Sequence, residues 1–385
     1  MRFRHPDGST VHLAYCTNVH PAETLDGVLA QLRDHCEPVR RRLGRDRLGI
    51  GLWLARDAAA ALVTDPAALR GLRTELDRRG LEVVTLNGFP YQGFGAEEVK
   101  YRVYRPDWAD PERLDHTTSL ARVLAQLLPD DVTDGTVSTL PLAWRTAYDD
   151  TRAARSRTAL RTLAERLDVV AELTGRSIRI GLEPEPGCTV ETTADAIGPL
   201  TDIGHERIGI CVDTCHLATS FEDPHTALDA LTRARVPIVK SQLSAAVHAE
   251  HPHLPEVREA LAAFDEPRFL HQTRTSTARR PAARRPRRGP HGRRAARRLP
   301  WRAHFHVRCA APPRPSPPPS RSSRPHWPTW SAAPTRSPAI WRSRPTPGRP
   351  CPELRPSTRP TGRRHRRRTR LSTRPVDGPR PQGLP

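Results

Sequence analysis

The chain has 385 residues, with 62 Lys and Arg against 42 Asp and Glu, for a formal net charge of +20. That charge is not shared out evenly. Residues 271–385 hold 30 of the basic residues and two acids, Glu353 and Asp377, so residues 1–270 carry 32 basic and 40 acidic groups and are net acidic. A basic nucleic-acid-binding fold is therefore not expected for the first part, no secretory leader is expected from the polar amino terminus, and no run of about 18 apolar residues exists for a membrane helix.

In chain order, the first strand is expected at 11–15. It runs into Cys16-Thr17-Asn18-Val19-His20-Pro21, and a helix follows over 22–43, with Leu25, Val28, Leu29 and Leu32 at helical spacing. A second strand falls at 48–54. Asp65-Pro66 opens a helix that Arg79-Gly80 stops. The third strand, 81–86, enters the loop Asn87-Gly88-Phe89-Pro90-Tyr91-Gln92-Gly93-Phe94, which reads as a binding loop, continued over 100–107. A helix at 111–128, a fourth strand at 136–140 and a long amphipathic helix at 149–174 come next.

The most informative stretch follows. The fifth strand, 177–182, ends in Glu183-Pro184-Glu185-Pro186-Gly187, and the sixth, 207–212, ends in Asp213-Thr214-Cys215-His216. A helix-length crossover, 190–203, separates them. This is the unit of a parallel sheet, in which reactive groups collect at the carboxyl ends of strands. Glu183 with an Asp-x-x-His at the next strand end makes a sensible first shell for a divalent cation. The plainer reading is that Glu183 ends a turn and Asp213 caps the following helix. A helix at 224–233, a seventh strand at 236–240 and a helix at 255–264 complete the alternation. Seven repeats in about 265 residues, with no glycine-rich nucleotide fingerprint, point to a (β/α)₈ TIM barrel.

An eighth strand is needed for closure, and Trp301–Val307 is the one candidate. Its alternation sets His304 and His306 on one face. From Thr273 onward the chain is rich in Arg and Pro, with 24 of the 41 prolines and no Lys. Such a segment cannot bury a core, and disorder is expected over 273–385, leaving 1–272 as the barrel domain. The tail reads best as the product of a reading-frame error in GC-rich coding DNA, ahead of a phosphate-binding arm or a solvated linker. Seven cysteines without Cys-x-x-Cys spacing fit free thiols and a cytoplasmic setting.

Several motifs together resemble the EboE metabolite-traffic proteins, themselves similar to the xylose-isomerase-like TIM-barrel superfamily. They are residues 13–21, Leu86-Asn87-Gly88-Phe89-Pro90-Tyr91, residues 181–187, Cys211-Val212-Asp213-Thr214-Cys215-His216, Lys240-Ser241-Gln242-Leu243-Ser244, Leu270-His271-Gln272-Thr273 and the 301–307 island. The resemblance implies a divalent metal (Mn, Mg or Zn) held by Glu183, Asp213 and His216. Gln242 lies where many members place a His or carboxylate, and His304 or His306 where many place a Glu. Metal-assisted isomerisation or epimerisation of a small metabolite is the expected activity, with Glu185 or Lys240 as base and Asn87, Tyr91 and Tyr104 shaping the pocket. A barrel that binds a metabolite without turnover is the alternative, and an endonuclease IV-like enzyme a more distant one. Nucleic acid is not an expected partner despite the basic tail.

Overall fold

The computed structural model describes residues 1–265, 267–276 and 299–305. His306 and almost all of the stretch read as a tail lie outside these residues. The chain opens with a hairpin, β1 (Arg2–Arg4) and β2 (Thr10–His12), turned at Asp7-Gly8. β3 (Ala14–Cys16) then enters the main sheet. One continuous helical stretch follows, with α1 (Leu25–Gln31), a wider π-type segment (Leu32–Cys36) and α2 (Glu37–Arg42). Next come β4 (Leu48–Trp53), α3 (Arg56–Thr64), α4 (Pro66–Arg78), β5 (Leu81–Asn87), α5 (Pro111–Leu127), β6 (Asp134–Thr139) and α6 (Asp150–Thr174). They are followed by β7 (Ser177–Leu182), α7 (Thr193–Ile203), β8 (Ile208–Asp213), α8 (Thr214–Thr219), α9 (Pro224–Arg233) and β9 (Ile238–Gln242). β10 (Val247–Ala249), α10 (Pro255–Ala262), β11 (Thr273–Thr275) and β12 (Trp301–Ala303) finish the described chain.

The seven strands β3 to β9 form one parallel sheet in sequence order. Sequential order with helical crossovers is the barrel's topology, and the expected TIM-barrel fold is what the strands build. The sheet curls on itself. Lys240 Nζ, on β9, crosses the lumen to Leu86 O on β5 (3.2 Å) and Ser138 Oγ on β6 (3.3 Å). Strands β4 and β8 are buried along their whole length, as strands covered on both faces must be. Close strand approach needs small residues: a Cβ on Gly209 of β8 would lie 2.1 Å from Pro237 O, so no larger residue fits there.

The expected eighth parallel strand is not what Trp301–Ala303 makes. It pairs antiparallel with β10 on one side and β11 on the other, in a separate three-stranded sheet. Its ladder partners arrive from the opposite direction, so its backbone groups are satisfied without joining β9. β11 begins at Thr273, one residue past the expected domain boundary at 272, and takes the first residues of the Arg-rich stretch into the fold. Other differences are local. Residues 11–15 split between the hairpin and β3, and the Pro-Asp-Gly turn signal accounts for that hairpin. α3 has no counterpart in the sequence reading. The helix expected from 22 starts at Leu25, capped by Thr24 Oγ1 accepting from Gly27 N (3.2 Å).

Helix starts follow their capping residues. Asp65 and Asp223 each precede a proline at the first helical position, Asp149 accepts from Arg152 N (2.8 Å), and Thr192 with Asp195 forms a reciprocal capping box. The hairpin is tied to the amino end of the barrel, where Arg2 pairs with Glu82 at the start of β5 (2.9 Å). Among the described residues no helix is long and apolar enough to cross a membrane.

Arg113 of α5 is fully buried. It holds the β5 loop through Gly88 O (2.9 Å), Phe89 O (3.0 Å) and Pro106 O (2.9 Å). One turn on, His116 packs edge-on against Tyr91 (5.0 Å), with no hydrogen-bond partner at either ring nitrogen among the described residues. Burial, then Arg113 and Arg56, hold its pKa down to about 3. The unfolded chain therefore takes up this proton first, and the stabilising effect is complete above about pH 6.5 and lost as pH falls toward 3. His116 alone should cost about 2 kcal/mol of folding stability between pH 7.5 and pH 5. Denaturant melts at the two pH values test this: His116→Leu should remove about that much of the difference, and an unchanged difference would refute the assignment.

Candidate metal centre

Two strands end abruptly at the carboxyl face of the sheet. Glu183 follows β7, its N–H still donating to Thr139 O of β6 (2.9 Å). Pro184 and Pro186 then end the ladder, since neither can donate to it. The turn closes at Gly187, with φ +95° and a Cβ position only 2.2 Å from the Trp144 ring, so only glycine fits. Asp213 ends β8 and pairs in register with Gln242, the end of β9.

These ends bring Glu183, Asp213 and His216 together, with one prospective ligand atom from each within 4.8 Å of the others. A second group, Glu185, His216 and His304, meets the same limit and shares His216. Asp213 is both cap and candidate ligand. Its Oδ1 accepts from Cys215 N (2.7 Å), His216 N (3.0 Å) and Ser244 Oγ (2.5 Å), which fixes the carboxylate and directs Oδ2 to other partners. Capping α8 also places His216. The His216 Nδ1 lies 2.8 Å from Pro184 O, and because a carbonyl can only accept, the neutral ring carries its proton on Nδ1 and its lone pair on Nε2.

Burial and mutual repulsion set the electrostatics. Glu183 is raised by burial first and by Asp213 second, with His216 and Lys240 acting against them. Glu185 is likewise raised, chiefly by burial. Burial opposes charge on His216, but Asp213, Glu185 and Glu183 outweigh it and raise its pKa. Three buried carboxylates thus face one imidazole, with the Lys240 ammonium one layer lower. A divalent cation would supply the missing positive charge, and two carboxylates with an imidazole suit Zn, Mn or Mg. The donor set therefore fits such an ion.

Glu185 has its own setting. Its Oε1 accepts from Tyr104 OH (2.9 Å) and from Gln272 Nε2 (2.7 Å), and His304 Nδ1 stands 4.0 Å from the same oxygen. The His304 ring packs edge-on against His216 at 4.8 Å. Tyr104 is buried between Trp144 (4.7 Å) and Phe89 (6.0 Å).

Of the other expected site residues, Gln242 reaches the strand end beside Asp213, and its Oε1 accepts from Cys16 Sγ (3.7 Å). Lys240 is anchored within the lumen rather than at its mouth. Asn87 Oδ1 accepts from Phe89 N (3.1 Å), so the side chain turns its own loop. Tyr91 packs with His116 and Arg113 of α5. Three residues the sequence reading did not single out also belong to the cluster. Ser244 clamps Asp213, Cys211 donates to Glu183 Oε2 (3.7 Å), and Gln272 joins Glu185 to Tyr104. Cys211 had a signal: it stands two residues before Asp213 on one strand, and so on the same face. Ser244 and Gln272 lie in irregular chain just after β9 and just before β11, where no period exposes them.

Parallel strands, sequential order and an acid–imidazole cluster at the carboxyl ends define an α/β-barrel protein with a polar site at its mouth. The chain belongs to the xylose isomerase-like TIM barrel family, whose model matches residues 47–269. No curated protein matches the sequence. Among solved structures it is similar to 3-keto-D-glucoside 4-epimerase from E. coli, at 16% identity over 65% of this chain and 86% of that one, with a TM-score of 0.39. It is also similar to the probable 3-DHS dehydratase of petrobactin synthesis from Bacillus anthracis, at 15% identity over 66% and 80%, TM-score 0.40. A third is a xylose isomerase-like TIM barrel protein from Mycobacterium smegmatis in complex with magnesium, at 17% identity over 69% and 85%, TM-score 0.40.

Gly187→Ala should cost about 2 to 4 kcal/mol, because a left-handed backbone and a clash with Trp144 add together. Chemical denaturation of the variant checks this. A loss under about 0.5 kcal/mol would mean that the turn relaxes freely.

Proposed function

We propose that this chain is a divalent-metal-dependent isomerase or epimerase of a small polyhydroxylated carbonyl compound, with an EboE-like role in handling a metabolite. The observation that carries the reading is the shared His216. It places a prospective metal cluster, Glu183 with Asp213, against a separately held carboxylate, Glu185. A divalent metal bound by Glu183, Asp213 and His216 would polarise the substrate's oxygen and acidify the neighbouring C–H. Tyr104 and Gln272 hold Glu185 through Oε1, which leaves Oε2 to take the proton from carbon. Return of that proton to the adjacent carbon, with the hydroxyl proton passing to the former carbonyl oxygen, would isomerise the substrate; return to the same carbon on its other face would epimerise it. Lys240, bonded to Leu86 O and Ser138 Oγ, serves as fixed positive charge below the carboxylates rather than as a proton carrier.

A second reading, a barrel that binds a metabolite without turnover, is favoured by Gln242. A neutral amide stands at that strand end, with its oxygen engaged by Cys16.

Metal analysis of the folded protein, beside exchange of substrate C–H for deuterium in D₂O over a panel of ketoses and aldoses with Mn²⁺, Mg²⁺ or Zn²⁺, tests both. Stoichiometric metal, lost in the Asp213→Ala His216→Ala double variant, and exchange that falls about 100-fold or more in Glu185→Gln are the expected results. Metal and ligand binding without exchange would leave the binding barrel. Folded protein that takes up no metal would overturn the metal reading.

A further inference from the structure

The side sheet carries two rows of residues on one face. Gln272 and His304 form the row at the mouth, joined by His304 N donating to Gln272 O (2.9 Å). Residues two apart on a strand share a face, so the next row is Arg274 of β11, Arg302 of β12 and His248 of β10. It stands about 7 Å farther along the strands. Arg302 is directly opposite both of the others. Like charges placed so destabilise a sheet unless an anion compensates them. Arg274 has its anion: Nε (2.9 Å) and Nη2 (2.7 Å) both donate to Glu191 Oε1, whose other oxygen accepts from Arg145 Nη2 (2.5 Å). Arg302 forms no ion pair among the described residues. Its Nη1 donates to Ala218 O (2.9 Å), its Nε to His248 Nδ1 (3.4 Å), and its guanidinium lies over the Phe221 ring at 4.3 Å. The carboxylate of Glu250 is already engaged by His248 Nε2 (2.8 Å). Arg302 Nη2 donates to no group of the described residues, and the side chain is half-buried.

Arg145, Arg274 and Arg302 thus stand around the single carboxylate of Glu191, which leaves two positive charges uncompensated. We infer that this row binds a phosphate group, with Arg302 donating from its Nη2 edge and the Arg274–Glu191–Arg145 set supplying fixed charge beside it. A phosphate monoester carries close to two negative charges at pH 7 and accepts the planar fork of an arginine, so it matches both the charge and the geometry. The Phe221 ring holds the plane of the guanidinium, and Ala218 O in the last turn of α8 holds one end, so the open edge is preorganised. The inference deepens the isomerase reading above and rests on it for the reacting end of the substrate. With carbon chemistry at Glu185 and the anion row about 7 Å from the His304 row, the substrate class becomes a phosphorylated sugar or a similar polyhydroxylated carbonyl compound. The carboxylates of the mouth repel a phosphate, which orients such a molecule with its carbonyl end inward.

Inorganic phosphate is the probe, titrated by calorimetry into the full chain at physiological ionic strength. Wild type is compared with Arg302→Gln, which keeps a donor for Ala218 O without the charge, and with Arg302→Lys, which keeps the charge without the fork. Circular dichroism checks folding, and metal content is measured beside it. Arginines outside the described residues are common to all three proteins and cancel from the comparison. Wild type should bind phosphate saturably, about 10-fold or more tighter than Arg302→Gln and about 3-fold or more tighter than Arg302→Lys, at equal metal content. A folded variant of either kind that binds phosphate as wild type does overturns the inference, and so does wild type that binds none. Loss of metal together with phosphate would put the anion on the mouth instead, and overturns it too. The two readings fail separately. Deuterium exchange into D-fructose as fast as into D-fructose 6-phosphate, in a protein that binds no phosphate, removes the anion site and leaves the isomerase. Phosphate held through Arg302 with no exchange in any sugar supports the anion site and removes the isomerase.

Discussion

The carboxyl face of this barrel depends on Asp213 Oδ1. One oxygen accepts from two backbone N–H groups of α8 and from the Ser244 hydroxyl, so it joins strand β8, the short helix after it and the loop after β9. A neutral cap would satisfy the helix equally well. A carboxylate in that position places a second buried negative charge beside Glu183, whose pKa is raised by burial first and by this neighbour second. Such an arrangement is costly unless something positive compensates. Local capping and prospective chemistry thus use the same atom group, which makes the plain and the functional readings of Asp213 parts of one design.

The supporting layers act toward the same end. Lys240 spans the lumen one residue layer below and contributes charge without occupying the mouth. Cys211, two residues before Asp213 on β8, donates a hydrogen bond to Glu183 Oε2. Trp144 lies against Gly187 and Tyr104, so the turn carrying Glu185 rests on an aromatic surface. The acidic groups are held by neutral donors and aromatic packing rather than by arginines. Full neutralisation by arginine would remove the reason to attract a cation.

Much of this was legible in the sequence. Ser177–Leu182, Pro224–Arg233 and the Asp149-capped helix stand where caps, prolines and apolar runs place them, because those signals are local. Glu183 and the Asp-x-x-His pair were legible as strand-end residues for the same reason. What was not legible is what long-range pairing decides. The apolar–polar alternation of Trp301–Val307 is the same whether a strand joins a parallel barrel or an antiparallel side sheet, and only its partners, Val247–Ala249 and Thr273–Thr275, settle the matter. Tyr91 and Asn87 share a loop with the aromatic and polar character of a binding surface. Yet Tyr91 faces α5 and Asn87 turns its own backbone. Loop composition does not encode direction.

The β11–β12 pairing has a consequence in time as well as in space. A ribosome releases Glu183, Asp213 and His216 together with all seven parallel strands before it releases Gln272, and releases His304 later still. The nascent chain therefore passes through a stage in which the sheet's strands and three acid–imidazole groups are synthesised, but the Glu185 clamp and the second imidazole are not. Completion of the mouth is the last event of synthesis that the described chain records, and it waits on two three-residue strands with no counterpart in the barrel itself.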